Sequence, residues 1–173
     1  MDVKLQRAGL IVLVALVTLG VLTGVQFGWK KFMLDGPVKV KLSTVQGVSG
    51  VSLDQEKTKG IIEVMLTDVP NLKETAQSVL EAAGGSKVKL LDKRTPELLA
   101  VMEKTRFDIE EAMMRGNFTA MEKAIDGAAK SAKLDRYGVY MDSDNIYLQL
   151  HKGENYLYQI FPRKTGKVEI TTD

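Results

Sequence analysis

Residues 60–91 decide the fold class of this chain and read GIIEVMLTDVPNLKETAQSVLEAAGGSKVKLL. Apolar residues alternate over 62–66, which is typical of a half-buried strand. Asn71 then begins a capping-box pattern, and the helix it predicts ends at a Gly-Gly pair at 84–85. A further apolar run follows at 87–91. The order strand, helix, strand predicts an α+β module in which one helix packs on a sheet.

This segment resembles the strand–helix–strand pattern of small envelope-associated modules such as BON-type domains. It is also similar to the latter part of heavy-metal-associated domains, whose paired metal-binding cysteines are missing here, since the chain has no cysteine. The resemblance contains no diagnostic residue and implies no family membership.

Upstream, residues 38–42 (VKVKL) alternate with period two and predict another strand. Gly47 and Gly50 interrupt the valine-rich stretch that follows, which indicates a bulged or looped strand pair. Together with residues 60–91 these strands predict a ββαβ-like part over 38–93.

Two further parts follow in the chain. Thr95 and Pro96 form a strong helix start, and helical patterns continue over 98–115 and 118–133 with a break at Gly116-Asn117. This helical part, 95–134, is either a helical hairpin or one kinked helix. Residues 136–173 then predict an antiparallel β part with strands near 137–141, 146–151 and 155–161 and a last short run at 168–172.

An uncharged run of 22 residues, 8–29, precedes all of these parts. As a helix it would be about 33 Å long, enough to cross the hydrocarbon core of a bilayer. It is flanked by basic residues and ends at Trp29, and no cleavage-site pattern follows it. The predicted organisation is a short N-terminal tail (1–7), a transmembrane helix (8–29), a juxtamembrane linker (30–37) and a globular α+β domain (38–173).

The flanking charges are nearly balanced between the two ends of the predicted span. Because a short basic tail usually stays cytoplasmic, we expect the domain on the extracytoplasmic side of a bacterial cell membrane. Gly20, Gly24 and Gly28 recur every four residues and present one open helix face. This spacing predicts a helix–helix contact in the membrane.

Composition argues against several functions. Residues 1–34 carry a net charge of +3 and the whole chain +2, so 35–173 hold about −1 and show no footprint for nucleic acid. The chain has no cysteine and His151 is its only histidine, so few residues could bind a metal ion or act as a nucleophile. The turn Asp142–Asn145 lacks the ligand spacing of a calcium loop. We therefore predict no enzyme activity, no catalytic residues, no cofactor and no metal, and expect His151 at the surface.

All five tyrosines lie between residues 137 and 158. Cross-strand packing explains them, but tyrosine is also favoured at interfaces, so four of them form a candidate partner-binding surface: Tyr140, Tyr147, Tyr156 and Tyr158. Two functions remain open. One is a single-pass membrane-anchored structural or assembly protein that binds a protein partner or its own copies. The alternative is a membrane-tethered binding module for a small ligand or a cell-wall glycan.

Overall fold

A computed structural model describes residues 16–20, 35–53, 60–163 and 170–172. Helices and sheets are mixed along the chain, which confirms the predicted α+β class. The chain divides into two units, Met1–Val40 and Lys41–Asp173. Within the first unit, residues 16–20 are helical.

The helices that the structure describes include none with both the length and the apolar character needed to cross a bilayer. Only residues 16–20 of the predicted span 8–29 fall in the described ranges, and the rest of that prediction lies outside them.

In chain order, one helix, two strands, a helix, a strand and two helices precede a run of four strands. The helices are α1 (Asp35–Ser43), α2 (Leu72–Ala83), α3 (Pro96–Arg115) and α4 (Phe118–Ser131). The strands are β1 (Val48–Ser52), β2 (Ile62–Leu66), β3 (Val88–Leu91), β4 (Arg136–Met141), β5 (Asn145–Lys152), β6 (Asn155–Pro162) and β7 (Ile170–Thr172).

The strand predicted at 38–42 is wrong, because these residues lie in helix α1. Period-two alternation over five residues does not distinguish a strand from a short helix that buries a single side chain. Here that side chain is Leu42, which is fully buried, whereas Val40 is exposed. Pro37 falls in the first turn of α1, where the missing N–H removes no helical hydrogen bond.

The first sheet has the strand order β1-β2-β3-β7. β1 runs antiparallel to β2, and the register shifts between Val48 and Gly50, which confirms the predicted irregularity near the glycines. β2 and β3 are parallel and are connected through α2, as the segment 60–91 predicts. β7 is also parallel to β3. The run predicted at 168–172, described only at 170–172, therefore pairs in this sheet and does not extend the antiparallel one.

Helix α2 begins and ends where its local chemistry predicts. The Asn71 side chain accepts hydrogen bonds from the backbone N–H groups of Lys73 and Glu74, at 3.1 and 3.4 Å. Gly84 ends the helix in the left-handed region at φ 59°, which glycine adopts without a steric penalty. These caps satisfy backbone groups that a helix end otherwise leaves open.

Helices α3 and α4 form two separate helices divided at Gly116, whose φ of 76° ends α3. They pack on each other and on the second sheet, which has the order β4-β5-β6 and is antiparallel throughout. Between them lies the larger core, built from Leu98, Val101, Met102, Ile109, Ala112, Met121, Ile125, Ala128, Ile146, Leu148, Leu150, Leu157 and Phe161.

Candidate functional site

His151, the only histidine, is buried and not at the surface, so that expectation is wrong. It lies on β5, the middle strand of the second sheet, which is buried on both faces from Ile146 to His151. One face of β5 packs on the core shared with α3 and α4. The opposite face contacts α2 and the loop that precedes it. The residues that cover this opposite face are distant in sequence, so the pattern of β5 itself does not reveal that the face is buried.

Polar and aromatic side chains from the second sheet meet the loop between β2 and α2. We call this cluster the loop junction, and its members are Asp68, Arg136, Gln149, His151, Tyr156 and Tyr158. Asp68 belongs to the loop itself, and the other five project from β4, β5 and β6. Residues 90 and 91 positions apart in sequence are thereby brought within hydrogen-bond distance.

The His151 ring is held between a carboxylate and a guanidinium. Its Nδ1 lies 3.2 Å from Asp68 Oδ1, and Arg136 Nη2 lies 3.2 Å from Nδ1 and 3.4 Å from Nε2. Arginine only donates, so the ring nitrogen that accepts from Arg136 carries no proton. Arg136 also forms an ion pair with Asp68.

The electrostatics of this site keep the imidazole neutral. Burial lowers the pKa of His151 from its usual 6.5, and the charge of Arg136 lowers the pKa further, while Asp68 acts in the opposite direction. An aspartate beside a histidine is the geometry of a proton relay, but a relay needs its second nitrogen free for a reacting group. Arg136 Nη2 lies within 3.4 Å of both ring nitrogens, so the arrangement is suited to holding the loop.

Two tyrosines of the loop junction bind the loop backbone directly. The Tyr156 hydroxyl donates to the Leu66 carbonyl at 2.9 Å. The Tyr158 hydroxyl donates to the Thr67 carbonyl and accepts from the Val69 N–H, both at 2.9 Å. Burial is the main reason that the pKa of each tyrosine is raised. Both hydroxyls therefore stay protonated over the whole physiological range.

The rings of the same residues pack on one another. Tyr156 and Tyr158 stack with their ring centroids 5.2 Å apart, and the His151 ring meets Tyr158 edge-on at 5.8 Å. Gln149 completes the contact with the loop, because its side chain accepts from the Leu72 N–H at 2.7 Å and donates to the Pro70 carbonyl at 3.2 Å. The loop and the start of α2 are thus fixed to the second sheet by side chains.

A buried carboxylate joins the two sheets beside the loop junction. The Asp92 side chain, at the end of β3, is only 1% exposed and forms a two-pronged contact with Arg94, at 2.8 Å for both hydrogen bonds. It also accepts from the Tyr158 backbone N–H at 2.7 Å. Lys93 forms an antiparallel bridge with Tyr156. The chain after β3 therefore runs beside β6 and connects the sheets.

The four tyrosines predicted as a partner surface do not share one environment. Tyr147 and Tyr158 are fully buried, and Tyr140 and Tyr156 are half-buried. The Tyr147 hydroxyl donates to Asp142 at 2.8 Å, and burial raises the pKa of Tyr147 to about 12. Asp142 also accepts from two backbone N–H groups of its turn. A partner that uses this face would reach only Tyr140 and Tyr156 directly.

Of the three glycines predicted to form a helix–helix contact, only Gly20 is described. It lies in the helical residues 16–20, and a Cβ placed on it meets no atom within 4 Å. Gly24 and Gly28 lie outside the described residues. In the part of the chain that the structure describes, no group of three His, Cys, Asp or Glu side chains is arranged to hold a metal ion.

Sequence reasoning missed one exposed apolar feature, on helix α3. Phe107 is 79% exposed and Met114 is 87% exposed. Both lie off the buried side of this helix, which includes Leu98, Met102 and Ile109. Their separation of seven residues, two helical turns, places them on one face. That spacing is the signal by which the feature can be found in the sequence.

The fold is that of a small α+β domain. Its one histidine and most of its tyrosines form contacts within the domain. No protein-family model, curated protein or solved structure matches the chain.

Proposed function

We propose that this chain is a single-pass membrane-anchored structural or assembly protein whose α+β domain binds protein partners at the membrane surface. The observation that carries the proposal is the uncharged run 8–29, which is long enough to cross a bilayer as a helix. The described part of that run adds support, since Leu16, Val17 and Leu19 are each about 60% exposed in a helical segment. Exposed large apolar side chains on a helix favour a lipid or protein environment.

The contacts in the domain favour an interaction role over catalysis. Both ring nitrogens of His151 face charged partners, and the Tyr156 and Tyr158 hydroxyls are bonded to the loop backbone. A catalytic base needs access to the proton that it abstracts. The exposed Phe107 and Met114, in contrast, are free to contact a partner on the outer face of α3.

Membrane fractionation tests the anchor. The full chain, expressed in bacteria, should pellet with membranes and resist carbonate extraction. Leu16→Arg places a charge near the middle of the span, at a cost of about 3 kcal/mol for insertion, and should raise the carbonate-soluble fraction. Val40→Arg adds the same charge at an exposed site beyond the span and serves as the matched control.

Release of the unmodified chain by carbonate would overturn the proposed anchor. The side of the membrane is tested separately, by adding protease to intact spheroplasts. Digestion of the domain is the expected result for an extracytoplasmic position, and protection until the membrane is opened would place it in the cytoplasm.

A further inference from the structure

The loop between β2 and α2, residues 67–71, is held against the second sheet by side chains. The Val69 N–H and the Val69 and Pro70 carbonyls bond to side chains that project from β4, β5 and β6. In the described part of the chain, neither residue has a backbone–backbone hydrogen bond. The two ends of the loop are fixed separately, because the Thr67 N–H donates to a carbonyl just before β1 at 2.8 Å and Asn71 caps α2. The loop can therefore leave the second sheet while the strand pairs and the helix stay formed.

His151 lies under this loop with its side chain only 6% exposed. The titratable side chains that face its ring come from the loop, from β4 and from β6 and are Asp68, Arg136, Tyr156 and Tyr158. The Asp68 carboxylate is 3.2 Å from Nδ1, and Arg136 Nη2 is within 3.4 Å of both ring nitrogens. The ammonium of Lys73, on α2, is directed elsewhere and donates to the Met141 carbonyl at the opposite end of β4. One carboxylate and one guanidinium therefore balance each other around a neutral ring.

Protonation of His151 changes both the charge and the hydrogen bonding at this ring. Two cations, the imidazolium and Arg136, then share the single carboxylate of Asp68, and like charges in contact repel each other. An imidazolium has no lone pair, so the N–H groups of Arg136 face N–H groups of the ring. Arg136 also donates to the Val69 carbonyl at 3.3 Å and pairs with Asp68. Displacement of Arg136 from the ring therefore breaks contacts that hold the loop.

We propose that the loop junction is a pH-sensitive switch, in which neutral His151 holds the loop 67–71 on the second sheet and protonated His151 releases it. Release uncovers His151 and frees the hydroxyls of Tyr156 and Tyr158, which in the closed form bond to the backbone at residues 66–69. All of these residues lie within 60–163, so the inference goes beyond the proposed function and does not depend on the membrane anchor.

The surroundings of His151 determine the direction of the switch. Burial and then the charge of Arg136 lower the pKa of His151 from its usual 6.5, while Asp68 acts in the opposite direction. In the open form the ring meets water, and its pKa returns toward the usual value. The open form then binds the proton more tightly than the closed form, so a fall in pH shifts the population toward the open form. Because His151 is the only histidine, no other side chain of the chain ordinarily titrates between pH 5 and 8.

Residue-resolved amide hydrogen exchange on the full chain in mild detergent tests the switch. The informative amides are those of Val69 and Leu72, which donate to the Tyr158 hydroxyl and to the Gln149 side chain. Each exchange rate is compared with the rate of an unstructured chain at the same pH, and the ratio is the protection factor. Between pH 8 and pH 5 both protection factors should fall about tenfold, and by no more than about thirtyfold, the limit for an open ring with a pKa of 6.5.

Urea distinguishes release of the loop from unfolding of the whole domain. A loop opening exposes little surface, so its exchange rate hardly changes with urea, whereas exchange through global unfolding accelerates. At pH 5 we expect the Val69 and Leu72 amides to be insensitive to low urea and to exchange faster than the amide of Leu148, in the middle of β5. Equal protection and equal urea dependence at the three positions would overturn the inference, because acid would then unfold the domain as a whole.

Substitutions identify the group that responds to pH. His151→Gln keeps a polar side chain that takes up no proton, so the two protection factors should agree between pH 5 and pH 8 within about twofold. Arg136→Gln, at a half-exposed position, removes the second cation and should make the fall less than about half as large. Lys123→Gln removes an exposed cation from α4 and, as the matched control, should keep the full fall.

An unchanged fall in His151→Gln would show that another group responds to the acid and would refute the switch. If that variant does not fold, Arg136→Gln decides the question in the same way, since a fall as large as in the unmodified chain contradicts the inference. Constant protection of the unmodified chain between pH 8 and pH 5 contradicts it as well.

Discussion

Removing a single hydroxyl from the loop junction tests whether that cluster stabilises the domain. In Tyr158→Phe the ring keeps its contacts with Tyr156 and His151, because only the oxygen is lost. The Val69 N–H, in a fully buried residue, loses its acceptor, and the Thr67 carbonyl loses its donor. The change therefore isolates the hydrogen bonds from the packing of the ring.

The size of the effect follows from these two bonds. Each intramolecular hydrogen bond contributes about 1 kcal/mol, and a buried donor left without a partner costs about 1–3 kcal/mol. We expect Tyr158→Phe to lower the free energy of unfolding by about 2–3 kcal/mol. With a urea dependence of about 2 kcal/mol per molar, the midpoint should fall by about 1–1.5 M.

The assay is urea unfolding of the full chain in mild detergent, followed by circular dichroism at 222 nm. Tyr140→Phe is the matched control, because the Tyr140 hydroxyl has no hydrogen-bond partner in the described part of the chain and lies in the same sheet. If the two variants unfold within about 0.5 kcal/mol of each other, the hydroxyl of Tyr158 does not hold the loop and the reasoning is refuted.

Three other predictions follow from the contacts and the sequence. The pKa of His151 is lowered from 6.5 in the folded state, so the unfolded chain takes up the proton first as the pH falls. The free energy of unfolding should therefore be constant above about pH 7 and decrease below pH 6.5. Urea midpoints measured across this pH range test the prediction, and His151→Gln should remove this part of the pH dependence. Asp92→Ala leaves the mostly buried Arg94 without its carboxylate and should cost about 3 kcal/mol in the same urea assay, more than twice the cost of an exposed ion-pair deletion. Gly24→Ile should weaken association of the full chain in a membrane two-hybrid assay, because a branched side chain separates the helices. Val21→Ile, on another face, should not weaken it. Equal signals from wild type and Gly24→Ile would mean that the glycines are incidental.

The helix ends could be predicted from sequence because their chemistry is local. Asn71 and Thr95 accept hydrogen bonds from N–H groups within three residues, and Gly84 and Gly116 adopt the left-handed conformation in which their helices end. These interactions depend on neighbours in the chain and are formed whatever the rest of the fold does.

The burial of particular residues could not be predicted in this way. His151 follows an alternating pattern that indicates one exposed face, yet the loop before α2 covers that face. Val38 to Leu42 alternate as a strand does, yet they form part of α1, where one buried leucine decides the packing. For His151 the deciding contact comes from a distant segment, and in both stretches the residues themselves are compatible with either outcome.

The sequence by itself determined the α+β class, the positions of helices α2 to α4, the antiparallel strands β4 to β6 and the uncharged run 8–29, because periodicity and capping are local properties of the chain. Only the tertiary structure decided that β7 joins β3 in the first sheet, that the tyrosines and the histidine hold a loop, and that Phe107 lies at the centre of an open helix face. Strand pairing and burial depend on which surfaces meet, and the free energy of those contacts is set by residues that are far apart in sequence.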